Sequence, residues 1–126
     1  MSDEQLLELA KKAAERSYSP YSHFPVGAAL ECADGSVFTG CNVENAAYGD
    51  TICAERTAAV KAVSEGRRDF RRIAIWGDSR DYCYPCGSCR QFLQEFNRDL
   101  IVVVGRGDGA FRRLTLAEMM PFTFDF

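Results

Sequence analysis

Six cysteines lie along the 126 residues, and three of them stand in segments able to hold a metal. These are Cys53-Ala54-Glu55 and Pro85-Cys86-Gly87-Ser88-Cys89. Taken alone, a C-x-x-C run reads as a zinc site, a redox dithiol or chance. Here each segment opens a helical pattern, where free N–H groups and the helix dipole favour thiolates. Three thiolates brought together from two helix starts make a Zn²⁺ site with one coordination position left for water, which is the catalytic arrangement. They also leave the metal with one net negative charge, so bound water is acidified less than by three neutral imidazoles. A positive group is therefore expected beside the sulfurs. Arg56 follows Cys53 by three residues on one helix face. It is the candidate to donate to sulfur and withdraw charge; its plainer role is a surface ion pair. Glu55 is the expected proton carrier, against the plainer role of an acid in a first helical turn. Cys83 precedes Cys86 by the same three-residue step. As a fourth ligand it would close the site into a structural zinc. Pro85 demands extended backbone before the helix and is expected to carry Cys83 away. Cys83, Cys32 and Cys41 are read as plain thiols.

The elements that must hold these residues follow from pattern. Ser2 and Gln5 form a candidate capping box before an amphipathic helix over 3–17. Residues 18–22 are a loop around Pro20. A strand over 26–32, the Asp34-Gly35 turn and a return strand over 36–42 make a hairpin. A small-residue loop over 45–51 leads to a helix over 53–65, capped by Gly66. Then come a buried strand over 72–76, a helix over 87–97 and a β-branched strand over 100–104. A short helix over 115–120 stops at Pro121, before a tail bearing Phe122, Phe124 and Phe126. Strands alternating with helices imply a parallel pair covered on both faces.

Composition narrows the function. Apolar residues make up 47% and charged residues 26%, as in an ordinary globular chain, and the length suits a single domain over 1–126. A net charge of −3 lacks the basic footprint of a nucleic-acid partner. The cluster Arg67, Arg68, Arg71 and Arg72, broken by Asp69 and Phe70, is read as a solvated helix end. No apolar run of about 18 residues exists, so no membrane span is expected. The acidic start Met1-Ser2-Asp3-Glu4-Gln5 is no secretory signal. A cytoplasmic chain follows as an expectation, with thiols reduced or metal-bound rather than paired.

A Cys or His, one residue, Glu, and later Pro-Cys-x-x-Cys is the signature of zinc deaminases. Its surroundings here are equally distinctive. They include Tyr18-Ser19-Pro20-Tyr21-Ser22, Phe24, Val26-Gly27-Ala28-Ala29-Leu30 and Asn42-Val43-Glu44-Asn45-Ala46-Ala47-Tyr48. Cys53-Ala54-Glu55-Arg56-Thr57-Ala58 and Pro85-Cys86-Gly87-Ser88-Cys89-Arg90-Gln91 complete them. With these segments the chain resembles the cytidine deaminase family of the small homotetrameric type over nearly its whole length. The resemblance implies a three-layer α/β/α sandwich around a mixed sheet of about five strands. It implies one Zn²⁺ per chain on Cys53, Cys86 and Cys89, with Glu55 catalytic. Phe24 would face the pyrimidine, Asn42 and Glu44 would bond the ribose 3′-hydroxyl, and Ala54 would lie at the substrate. Ala46 and Tyr48 would reach a neighbouring subunit's site. Phe124, with Phe126 as the alternative, would close another. The implied reaction is hydrolytic deamination of cytidine and 2′-deoxycytidine to uridine or deoxyuridine and ammonia, in pyrimidine salvage. The competing readings are an aminonucleoside-antibiotic (blasticidin-like) deaminase and a noncatalytic zinc module.

Overall fold

The computed structural model describes residues 1–126. Helix α1 (Asp3–Ala14) starts at the capping box: Ser2 Oγ accepts from Gln5 N at 3.0 Å, and Gln5 Oε1 accepts from Ser2 N at 2.8 Å. Strands β1 (Val26–Cys32) and β2 (Val37–Cys41) form the hairpin, with Gly35 at φ +89° in its turn. Helix α2 (Ala54–Ser64) leads to β3 (Phe70–Gly77), and α3 (Gly87–Gln94) to β4 (Ile101–Gly105). Strand β5 (Phe111–Thr115) and a single 3₁₀ turn (Ala117–Met119) precede the tail.

The sheet order is β2-β1-β3-β4-β5, with only β3 and β4 parallel. Alternation along each strand splits the core into two layers. Ala29, Ala74 and Val103 face Leu6, Leu7 and Ala10 of α1. Ala28, Leu30, Ile73, Ile75, Val102 and Val104 face Ala54, Ala58, Ala59 and Ala62 of α2 and Leu93 of α3. The three-layer α/β/α sandwich and its five-strand mixed sheet are thus observed. No helix is long and apolar enough to cross a membrane.

Two glycines set how closely the layers meet. A Cβ on Gly27 would lie 1.8 Å from Ala10 O, and one on Gly40 would lie 2.6 Å from Ala58 N and 2.7 Å from Ala54 O. Gly40 therefore lets the first turn of α2, which carries Glu55, sit directly on the sheet.

The structure corrects three expectations. Helix α1 ends at Ala14 rather than 17, because the chain turns to bring Tyr18 N onto Asn42 O at 3.1 Å. The expected helix over 115–120 is mostly absent. Phe111–Thr115 pairs antiparallel with β4, Leu114 opposite Val102, and only one tight turn follows. Sheet pairing there overrides local preference. Nor is the arginine cluster a solvated helix end throughout: only Arg67 and Arg68, exposed just past α2, fit that reading. Arg71 and Arg72 lie in β3, and Arg72 is buried among acids on the α1 side of the sheet.

Candidate metal centre and substrate cavity

Cys53 and Cys86 each occupy the N-cap of a helix, α2 and α3, in extended backbone (ψ 154° and 169°). Ser, Thr, Asp or Asn in that position would turn its side chain back to bond the first turn. Neither thiol does so. Both turn instead toward Cys89, in the first turn of α3. The sulfurs of Cys53 and Cys86 are 3.9 Å apart, those of Cys86 and Cys89 3.6 Å, and all three lie within 4.8 Å of one another. A disulfide needs about 2.05 Å. Zinc–sulfur bonds of about 2.3 Å in a tetrahedron place sulfurs about 3.8 Å apart, so the donor set fits Zn²⁺. Cys83 lies outside this cluster, which is open to a fourth ligand that is not a protein thiol.

The electrostatics of the cluster are those of shared protons. The hydrogen bond with Cys89 does most to hold the Cys53 thiol down, to about 5, and Arg56 and Cys86 reinforce it. Cys89 is pushed upward by the same bond and by burial. Arg56 Nη2 donates to Cys53 Sγ at 3.5 Å. Arg56 has no carboxylate partner, and its Nε is buried without any partner. Glu55 is 4% exposed. Burial pushes its carboxyl up to about 7, and the negative charge of Cys53 adds to the effect.

A cavity of about 180 Å³ opens beside these groups, lined by Phe24, Asn42, Cys53, Ala54, Glu55 and Cys86 among others. It sits at the C-terminal end of β3, the usual place for ligands in a parallel pair. A Cβ on Gly77 there would lie 2.7 Å from Phe24 Cζ and 3.0 Å from Cys83 Sγ. Asn42 Oδ1 accepts from Val26 N at 2.9 Å and from Ser17 Oγ, while its Nδ2 donates to Phe24 O at 2.9 Å. Glu44 lies outside the lining but near it. Its Oε1 accepts from Tyr21 N at 3.0 Å and Ser22 N at 3.1 Å, and its Oε2 accepts from Ser22 Oγ.

Ala46, Tyr48 and Phe124 do not reach this cavity. Tyr48 is 75% exposed, its ring edge-on to Tyr21, and Phe124 is 67% exposed. The Phe124 backbone is nonetheless fixed, its carbonyl accepting from Gln91 Nε2 at 3.2 Å and Gln94 Nε2 at 2.8 Å. Four further residues line the cavity: Val26, Thr51, Cys83 and Tyr84. For the last two, adjacency to Pro85-Cys86 was the available signal. Cys83 lies out of the sulfur cluster but on the cavity wall.

The model of the cytidine and deoxycytidylate deaminase zinc-binding region matches residues 1–105. The chain belongs to this family. It is 46% identical over 125 residues to the cytidine deaminase of Sporosarcina psychrophila, covering 98% of this chain and 92% of that one. It is 47% identical, also over 125 residues, to that of Halalkalibacterium halodurans, covering 98% and 95%. The crystal structure of cytidine deaminase from Burkholderia pseudomallei superposes with a TM-score of 0.96 at 45% identity, covering 98% of this chain and all of that one. A blasticidin-S deaminase of Bacillus cereus is more distant, at 28% identity. Membership makes the chain a zinc-dependent pyrimidine nucleoside deaminase, with Cys53, Cys86 and Cys89 suited to one zinc per chain.

Proposed function

We propose that the chain converts cytidine and 2′-deoxycytidine, with water, to uridine or 2′-deoxyuridine and ammonia. The observation that carries this is a buried carboxyl, Glu55, on the wall of a cavity that also holds two of three convergent thiols and an aromatic ring. Relatives 46–47% identical over nearly the whole chain bear the name cytidine deaminase. Zinc on Cys53, Cys86 and Cys89 would supply Lewis acidity and lower the pKa of water.

The chain's own residues do the rest. Glu55 takes a proton from water and delivers it to N3 of the pyrimidine as the oxygen bonds to C4. It then carries the remaining hydroxyl proton to the exocyclic nitrogen. The C4–N4 bond breaks, ammonia leaves, and C4 becomes a carbonyl. A carboxyl that must be both base and acid works best with its pKa near the ambient pH, and burial moves Glu55 that way. Phe24 and Ala54, both on the cavity wall, suit contact with the ring.

The intramolecular hydrogen bonds of Asn42 and Glu44 support the sugar contacts. Both acceptor positions of Asn42 Oδ1 are used inside the chain, and one Nδ2 hydrogen remains. Glu44 can only accept. Together they suit a single hydroxyl, Asn42 donating to its oxygen and Glu44 accepting its hydrogen, and the ribose 3′-hydroxyl is that group. Exposed Tyr48 and Phe124, with Ala46, suit packing against neighbouring copies. A homotetramer with shared active sites would cover an aromatic surface that monomers seldom leave bare. Six unpaired thiols suit the reducing cytoplasm.

The test is ultraviolet monitoring of cytidine with purified protein, alongside a zinc count per chain. Cytidine should be consumed, and Glu55→Gln should lower kcat by about 10²–10⁴-fold with zinc retained. An inert protein carrying its full zinc, or an active Gln variant, would leave the noncatalytic module as the better reading. Faster turnover of blasticidin S than of cytidine would instead favour the antibiotic deaminase.

A further inference from the structure

The hydroxyl of Ser22 stands between two residues assigned to different parts of the substrate. It accepts from Phe24 N at 3.1 Å and donates to Glu44 Oε2. We infer that Ser22 is a positioning residue that fixes the Glu44 carboxylate and the Phe24 backbone relative to one another, and so sets where the sugar hydroxyl meets the chain. The inference rests on the sugar contact proposed for Glu44.

A carboxylate offers about four acceptor positions. Both on Glu44 Oε1 are taken by Tyr21 N and Ser22 N, and one on Oε2 is taken by Ser22 Oγ. A single position remains, on Oε2. Ser22 therefore selects which lone pair faces the substrate. It also fixes the rotation of the carboxyl, because it holds the oxygen that the two backbone donors do not.

The same hydroxyl occupies the N–H at the start of the Phe24 segment, whose other end is held by Asn42 Nδ2 on Phe24 O at 2.9 Å. Without the Ser22 hydroxyl, Oε2 gains a second open position. Water fills it, and the carboxylate can rotate away from the sugar. Glu55 and the thiols make no hydrogen bond to Ser22, so the chemical step itself should be little affected.

Ser22→Ala should raise KM for cytidine about tenfold, the scale of one charge-assisted hydrogen bond, with kcat within about twofold. For 3′-deoxycytidine, which lacks the hydroxyl, the same variant should change KM less than about twofold. Ser22→Thr, which keeps the hydroxyl, should restore the cytidine value. A purely structural Ser22 would raise KM equally for both substrates, or lower kcat with it; either result overturns the inference, as does an unchanged KM for cytidine. If Ser22→Ala does not fold, Ser22→Cys, a weak donor of similar volume, is put through the same pair of substrates with the same outcomes. Glu44→Gln separates the two levels. If it too fails to distinguish cytidine from 3′-deoxycytidine, the sugar contact itself is wrong. If it distinguishes them and the Ser22 variants do not, only the role of Ser22 falls.

Discussion

Two arginines sit among ionisable groups on opposite faces of one sheet. Arg72, on the α1 face, has a partner on every guanidinium nitrogen. Its Nη1 donates to Asp3 Oδ1 at 2.7 Å, its Nη2 to Met1 O at 2.7 Å and Glu31 Oε2 at 3.0 Å, and its Nε to Glu31 Oε1 at 3.2 Å. Arg113 adds a second cation to Asp3. Arg56, on the α2 face, has one thiol partner at 3.5 Å and a buried Nε with none. The first cluster balances charge with charge. The second leaves a surplus of ionisable sulfur, a carboxyl driven to about 7, and space beside them. Satisfied charges tie elements together, whereas incompletely satisfied ones hold reactivity in reserve.

That contrast can be broken experimentally, starting where the effect is largest. Cys86→Ala should abolish both zinc binding and deamination, because two thiolates cannot hold the open tetrahedral site. A variant that kept one zinc per chain would show that the three sulfurs are not the site. Arg72→Ala strands Glu31, leaves Asp3 with Arg113 alone, and should cost about 3–5 kcal/mol of stability, read from denaturant unfolding, with kcat of the folded protein unchanged. Loss of kcat with stability intact would erase the distinction between the two faces. Arg56→Gln should do the reverse, lowering zinc affinity or activity by about 10–100-fold with little change in unfolding midpoint.

The smallest effect is in acid. Burial disfavours ionisation of Asp3, but Arg113 and Arg72 outweigh it and hold its pKa below 3.8. A depressed carboxyl stabilises above its unfolded pKa, about 3.9, and that contribution disappears as pH falls through the folded value. The native chain should therefore lose more melting temperature between pH 5 and acid below about 3 than Asp3→Asn does. Parallel curves would remove Asp3 from the network's pH response.

The metal ligands were legible because each obeys a local rule. Cysteine at a helix start, Pro85 before Cys86, and the i to i+3 step from Cys53 to Arg56 are all set within one turn of chain. The Ser2–Gln5 box and the Gly35 and Gly66 turns were legible for the same reason. Strand β5 was not, since Phe111-Arg112-Arg113-Leu114-Thr115 becomes a strand only by pairing with β4. Arg72 looked like one more surface cation because its partners, Asp3 and Glu31, lie far away in sequence.

By itself, then, the sequence determined which atoms could bind a metal and carry a proton, through capping, spacing and residue type. Tertiary structure alone decided that those atoms meet beside an accessible cavity. It also decided that Glu55 is dry enough to hold its proton near neutrality, and that Ser22 touches Glu44. Burial and non-local hydrogen bonds come from packing distant segments together, and no pattern within a single element encodes them.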